Sequence, residues 1–428
     1  MSSPSSSFSS SSSSSSLYNL IVGQLKADGY GDIADMLATK AHVSSDASDS
    51  STKLSSIVAE SSNSSSSSSS SEPPQCKQPR LDTMPKENDV LQNLEVKYIA
   101  RYDKSCRVAK FSNDGTLLAA GDSGTTIKLF DVERMKLKPH QQQKRAEEAG
   151  LVYRKRSPRI TIFYVSQVND LAFNPSGNLL VGAMNDKTCE LFSVHPGNPR
   201  NNKSIKKIQN EEVVRSVAFH PSGKFVLMGT EGSLVKLYDI TSGKSFCPRG
   251  IESSTATERH GDVINHVAYS PDGRTFLSCS RDGSIKMWDG SSGRCVMTIP
   301  GAHRGLEVSS VQYSKDSRRM LSSGKDGTVR LWDLSMPGQV QLYAQRGQQP
   351  TKFRVYSCFS CNEDYIISTN ELEHNAALWN THTGKMERTL SYHNDILRCV
   401  AASPTEMGFA TCGADAKVCF WYDKLYGN

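Results

Sequence analysis

One pattern recurs seven times along the chain: an aromatic residue closes an apolar-alternating run and is usually followed by Asp. The anchors are Phe130-Asp131, Phe192, Tyr238-Asp239, Trp288-Asp289, Trp332-Asp333, Trp379-Asn380 and Trp421-Tyr422, separated by 62, 46, 50, 44, 47 and 42 residues. A unit of this length cannot bury its own hydrophobic face and must stack on copies of itself, so the period dictates a repeat architecture. Before each anchor comes a strand, a tight turn and a second strand. The turns read SNDG (112–115), NPSG (174–177), HPSG (220–223), SPDG (270–273), SKDS (314–317) and SPTE (403–406), rich in the residues that hairpins need. Gly243, Gly293 and Gly384 each lie five residues after their anchor. An equal register points to an equal backbone requirement, a position that takes positive φ.

Seven such units resemble WD repeats. The resemblance implies a mostly β chain, a seven-bladed propeller over residues 94–428. Three units carry the full polar set of that family at matching register: His260, Ser278, Asp282, Trp288; His303, Ser322, Asp326, Trp332; and His393, Thr411, Asp415, Trp421. In the family these side chains form a buried hydrogen-bond chain across the blade, and a buried Asp needs such donors. A Ser/His/Asp hydrolase triad is the competing reading. The same set at the same spacing three times in one chain favours the structural role. The other units are degenerate. Six residues before the anchor Asp186 persists, but Gly124, Gly232 and Glu373 replace it elsewhere, and Tyr102 and Tyr164 take the His position. Those blades are expected to rest more on packing than on polar chains.

Ring closure is also legible. Too few residues follow Trp421 for an eighth unit, so the seventh blade lacks an outer strand. Leu94–Arg101 (LEVKYIAR) alternates and precedes the first unit. It is expected to supply that strand and to hide an edge that would otherwise pair with other chains.

Upstream of the ring, residues 1–71 hold 30 serines. Such composition buries too little apolar surface to offset chain entropy. Residues 1–16 and 41–93 are expected to be disordered, with room for one short helix at 51–60. Residues 17–40 are different. Leu17, Leu20, Ile21 and Leu25 share one helical face, Gly29 can end that helix, Asp32 can cap the next, and Ile33, Met36 and Leu37 continue the stripe. With Tyr30 this spacing resembles the LisH dimerisation motif, which implies a homodimer through Leu17, Leu20, Ile21, Leu25, Tyr30, Ile33 and Leu37. Two helices of about ten residues cannot hold a core alone.

No apolar run reaches the roughly 20 residues of a membrane span, and the N-terminus lacks the charged and apolar regions of a secretory signal. Eleven scattered cysteines fit free thiols in a reducing compartment. The net charge of +6 is concentrated: Arg134–Arg159 holds nine Lys/Arg against two Glu. The basic stretch 136–160 reads as a surface insertion, open between a nuclear-import signal, an RNA-touching patch that phosphorylation at Ser157-Pro158 would modulate, and a solvated linker.

No metal, nucleotide or catalytic motif is found. Ser242-Gly243-Lys244-Ser245 lacks the first glycine of a phosphate loop, where Tyr238 stands. Cys358 and Cys361 are three residues apart with no second pair, so they read as ordinary cysteines. No cofactor and no metal is implied, and no reaction.

Function is expected at the rim of the ring. Arg107, Arg215 and Arg398 share one register, four residues before Phe111, Phe219 and Ala402. Innermost strands line the channel, so these arginines, with Arg281 and Lys325 just before two of the polar-set Asp residues, are expected to converge near its mouth. A basic funnel suits carboxylate or phosphate groups.

Longer stretches narrow the resemblance. They are ADGYGDIADML (27–37), IKLFDVERM (127–135), VVRSVAFHPSGKFVLMGT (213–230), IKMWDGSSGRCV (285–296), AHRGLEVSSVQYSKDSRRMLSSGKDGTVRLWD (302–333) and ILRCVAASPTEMGFATCGADAKVCFWY (396–422). Together with the helical island and the polar linker they are similar to the WD-repeat subunit of the cleavage stimulation factor. That resemblance implies a nuclear, non-catalytic scaffold in messenger RNA 3′-end formation. It would dimerise through its N-terminus, hold the tail of the factor's helical-repeat subunit with its propeller, contact the RNA polymerase II C-terminal domain, and help read G/U-rich RNA. The alternative is a substrate receptor of a ubiquitin ligase, which also combines LisH with a WD ring. Trp288-Asp-Gly-Ser and Trp332-Asp-Leu-Ser lack the Trp-Asp-x-Arg of adaptor-binding receptors.

Overall fold

The computed structural model describes residues 94–137, 159–247, 259–335, 338–344, 349–371 and 373–423. The Ser tract (1–16), the expected helical module (17–40) with all the residues expected to dimerise, the expected linker (41–93) and residues 138–158 of the basic insertion lie outside the described residues.

Among the described residues, 28 strands form seven four-stranded antiparallel sheets. The first six blades start from the inner strands Cys106–Phe111, Val168–Phe173, Val214–Phe219, Ile264–Tyr269, Val308–Tyr313 and Ser357–Phe359, and their strands follow chain order outward. The seventh holds Leu397–Ala402, Gly408–Gly413 and Lys417–Asp423, and its outer strand is Leu94–Arg101. The closing ladder runs from Leu94 opposite Asp423 to Arg101 opposite Lys417. Leu94 is 1% exposed, and its carbonyl accepts from Arg388 of blade 6 at 3.0 Å. The ring is a seven-bladed β-propeller closed by its own first strand.

The turns show why the sequence folds this way. Gly115, Gly177, Gly223 and Gly273 all take φ between +71° and +73°, and Ser317 and Glu363 take +59° and +63° at the same place. Gly243, Gly293 and Gly384 stand at +72°, +65° and +69°. The repeated φ > 0 position is a steric requirement that glycine meets at least cost. The seven anchor aromatics are the plugs between blades, all between 1% and 7% exposed. Ser242–Ser245 forms the post-anchor turn and start of the outer strand of blade 3. Cys358 is buried in blade 6, whereas Cys361 lies in the turn after it and offers its carbonyl to Lys315 Nζ at 2.6 Å.

One element was not foreseen. A short helix, α1 (Val132–Lys136), follows the first anchor, with Asp131 accepting from Arg134 N at 3.2 Å as its cap. Val132 and Met135, three apart, are buried on one face. Lys136 pairs with Glu133 and, from blade 7, Glu406. The insertion thus leaves from a tethered helix and returns at Arg159, the first residue of the outer strand of blade 1.

A second regularity positions the functional residues. In six of the seven inner strands the ladder skips one residue at the same height: Arg107, Asn169, Arg215, Asn265, Ser309 and Arg398. A bulge leaves its residue unpaired and re-aims its side chain. Inner strands from around the ring enclose a central channel of about 720 Å³, and the bulges sit at one end of it.

Candidate functional site

The three polar sets assemble across their blades with one geometry. In blade 5, His303 Nδ1 lies 2.8 Å from Asp326 Oδ1, His303 Nε2 lies 2.8 Å from Ser322 Oγ, and Trp332 Nε1 donates to Ser322 Oγ at 2.8 Å. In blade 7 the distances from His393 to Asp415, His393 to Thr411 and Trp421 to Thr411 are all 2.9 Å. In blade 4, His260 Nε2 to Ser278 Oγ is 2.6 Å and Trp288 to Ser278 is 2.8 Å, but His260 Nδ1 to Asp282 is 3.3 Å. The indole can only donate, so the hydroxyl must turn its proton to His Nε2, and His Nδ1–H donates to the carboxylate, in blade 4 shared with Ser284 Oγ at 3.0 Å.

Burial holds the His260 and His303 imidazoles below their ordinary pKa. Burial pushes the Asp282 and Asp326 carboxyls upward, but hydrogen bonds, the histidine's first among them, hold both well below the usual range. The arrangement matches a hydrolase triad in its proton order, yet Ser278, Ser322 and Thr411 are each 0% exposed and capped by an indole. A hydroxyl without surface reaches no substrate. These sets fasten blades.

The degenerate blades keep fragments of the chain. Trp379 donates to Ser368 at 3.0 Å in blade 6. In blade 1, Tyr102 Oη donates to Ala120 O at 2.9 Å, and Asp122 accepts from Thr126 N and Oγ1 at 2.9 and 3.0 Å. Asp122 sits two residues before Gly124, so its role was invisible at the expected register.

The rim residues converge. Arg107, Arg215, Arg281, Lys325 and Arg398 line one cavity of about 350 Å³ at the bulged end of the channel. Three further residues there, Lys352, Phe353 and Arg354, come from the connector into blade 6 and were missed by sequence reasoning. They belong to no strand, so no register marks them; the only signal was their K-F-R composition.

Internal carboxylates neutralise part of this charge. Arg281 is bidentate on Asp262, at 2.7 Å for both bonds, and Arg215 pairs with Glu231. Glu307 takes Lys325 at 2.6 Å and Arg354 at 3.1 Å. Burial works against it, but these two cations hold the Glu307 carboxyl below its usual range. Seven cations thus meet three carboxylates in contact with them.

The remainder is confined to one sector. Among the described residues no carboxylate pairs with Arg107, Arg398 or Lys352. Arg107 donates to Asn169 Oδ1 at 3.1 Å, and with the Gln167 amide oxygen turned toward it, to that oxygen at 2.8 and 3.2 Å. Burial and the neighbouring Arg398 and Arg215 charges depress the Arg107 pKa. Blades 7, 1, 2 and 3 contribute Arg398, Arg107, Asn169 and Arg215 at the bulge, whereas blades 4 and 5 contribute Asn265 and Ser309. The mouth is therefore polarised toward the ring's closure.

Comparison with known proteins agrees with this architecture. A family model described as "WD domain, G-beta repeat" matches residues 100–131, 159–193, 202–239, 252–289, 293–333 and 384–422. The unmatched stretch 334–383 contains the first three strands of blade 6, which lacks the His and Asp of the polar set. A second model, "Cleavage stimulation factor subunit 1, dimerisation domain", matches residues 13–66. A relative, "Cleavage stimulation factor subunit 50" of Arabidopsis thaliana, is 31% identical over 334 residues, covering 77% of this chain and 73% of that protein.

Proposed function

The chain belongs to the cleavage stimulation factor subunit 50 family, and from that premise we propose that it is a non-catalytic scaffold of nuclear pre-mRNA 3′-end cleavage and polyadenylation. Its N-terminus, which matches a dimerisation domain, would bring two copies together. Its propeller would hold the tail of the factor's helical-repeat subunit at the polarised mouth. The RNA polymerase II C-terminal domain and G/U-rich RNA would be served by the assembled factor. The observation that carries this reading is the convergence of seven cations at one end of the channel, three of them at bulged or connector positions with no carboxylate partner among the described residues. Desolvated guanidiniums of this kind favour specific anionic contacts. Family membership favours this role over that of a ubiquitin-ligase receptor.

The test is co-purification. The wild-type chain should recover the helical-repeat subunit from nuclear extract, and the double variant Arg107→Glu/Arg398→Glu should lose it while keeping its melting temperature. Full recovery by the variant would move the contact away from the mouth.

A further inference from the structure

The pattern of pairing at the mouth says more than its total charge. Arg215, Arg281, Lys325 and Arg354 already satisfy carboxylates of this chain. A ligand that displaced them would have to offset the loss of those pairs. Among the described residues Arg107 and Arg398 have no such partner, yet both are held in place. Asn169 fixes Arg107 at 3.1 Å. The Phe353 ring lies under Arg398 at 4.1 Å and leaves the edge of that guanidinium free for in-plane bonds. Two pre-positioned guanidiniums on adjacent blades, with the exposed Lys352 beside them, exceed what one carboxylate uses. One carboxylate is matched by one bidentate arginine, whereas a dianionic group with three acceptor oxygens suits two.

We propose that the Arg107–Arg398 sector of the mouth recognises a single phosphorylated serine or threonine in an extended peptide. This rests on the reading of the mouth as the partner-binding site and names its chemistry. A nucleic-acid strand fits less well. Its phosphates follow one another without a break, and Glu231, Asp262 and Glu307 stand around the rest of the mouth where successive phosphates would fall. Arg398 already covers one face of Phe353, which reduces its use as a stacking platform for a base. Phosphorylation of a partner would then strengthen its hold on the propeller without any change in the fold.

The experiment uses the full-length protein and fluorescence anisotropy with four probes: degenerate nonapeptide pools with a fixed central phosphoserine, serine or glutamate, and a 5′-phosphorylated oligouridylate. The phosphoserine pool should bind roughly ten-fold or more tighter than the other two pools. Arg107→Gln and Arg398→Gln should each erase that margin, and Lys203→Gln, on the exposed outer strand of blade 2 and outside the mouth, should keep it. Thermal unfolding confirms that the variants are folded. Equal binding of the glutamate or serine pool, or preferential binding of the oligouridylate, overturns the proposal. If the unphosphorylated tail of the helical-repeat subunit still binds and is lost in Arg107→Gln, the mouth remains the partner site and only its phosphate preference falls. If that tail binds Arg107→Glu/Arg398→Glu as well as wild type, the site reading falls with it.

Discussion

The Arg398 guanidinium lies over the Phe353 ring, 4.1 Å from its centroid, and so joins the bulged inner strand of blade 7 to the connector that enters blade 6. Lys352 approaches the same ring at 5.7 Å. An arginine on an aromatic face loses less side-chain freedom on binding a ligand, because its plane is already fixed. Phe353→Ala should therefore weaken binding of the helical-repeat subunit by about three- to ten-fold, the loss expected of a partly exposed cation–π contact. Isothermal titration with the purified partner tail would read it. The melting temperature should barely move, since Phe353 is only half-buried. Arg398→Lys should weaken binding too, because an ammonium cannot reproduce a planar fork.

Gly324 and His303 show what the polar chain requires of its neighbours. A Cβ on Gly324 would meet His303 Cγ at 2.3 Å. Gly413 makes a similar allowance for His393, whose Nδ1 would lie 2.8 Å from a Cβ there. Blade 4 carries Ser280 at this rung, opposite Ile264 as Gly324 is opposite Val308. There the His–Asp distance is 3.3 Å instead of 2.8 Å. Gly324→Ala should push His303 off Asp326 and destabilise the ring by about 1–3 kcal/mol, the usual cost of overpacking a core. Gly324→Ser should behave alike, since blade 4, which carries serine at this rung, has the longer His–Asp contact. Urea unfolding of the two variants against wild type measures this. No loss in either would mean that the His303–Asp326 bond contributes little.

Acid should act first through histidine. His266 lines the channel, donates to the Val311 backbone and has no hydrogen bond at Nδ1; burial and the nearby Lys110 charge push its pKa down to about 4. Asp170 opposes the shift and Arg354 adds to it. A depressed pKa favours the neutral form in the fold. Its stabilisation is present above the unfolded value near 6.5 and is lost as pH falls through about 4. His260 and His303 are shifted in the same direction. The Asp282, Asp326 and Asp415 carboxyls, also held low, add a further loss below the ordinary carboxylate range. The melting temperature should be flat between about pH 7 and 8, decline from about pH 6.5 downward, and fall again above the ordinary thiol range, because burial raises the pKa of thiols such as Cys106, Cys189 and Cys279. His266→Gln should flatten the part of that decline between pH 6.5 and 4. A parallel curve in the variant would assign the decline to the other groups.

The N-terminal module gives an independent expectation. Leu20, Ile21 and Leu25, spaced as one face of a helix would require, lie in a stretch that matches a dimerisation domain. Replacing all three by Glu should leave a folded monomer with its propeller intact. Light scattering should then give half the wild-type mass, and an unchanged mass would place the dimer contact elsewhere.

The legible and illegible parts of this molecule divide along a physical line. Anchor aromatics, turn glycines and the three polar sets recur because each blade solves the same steric problem, and recurrence is visible in one sequence. Leu94–Arg101 was legible because an alternating strand without a unit of its own has few places to go. Arg107, Arg215 and Arg398 could be aligned by register, but the bulge that turns them to the mouth could not, because it appears only as one residue skipped in a ladder. Lys352, Phe353 and Arg354 lie in a connector that repeats nowhere. Helix α1 is five residues long, too short for a periodic signal.

The closing strand sets the last test. Leu94 is buried at 1% exposure and faces Asp423, while Tyr98 opposite Phe420 packs its ring 5.9 Å from Phe130 of blade 1. Removing residues 1–101 would leave Lys417–Asp423 as an open edge with unpaired N–H and C=O groups, a template for pairing with other chains. That variant should melt at lower temperature and elute as aggregates. Leu94→Ala in the full chain probes the same contact more gently and should cost about 2–4 kcal/mol, as truncation of a buried leucine does. Size-exclusion chromatography and urea unfolding read the two effects. If the truncated chain stays monodisperse with an unchanged midpoint, blade 7 is complete with three strands, and the ring is held by blade-to-blade packing instead of by its first strand.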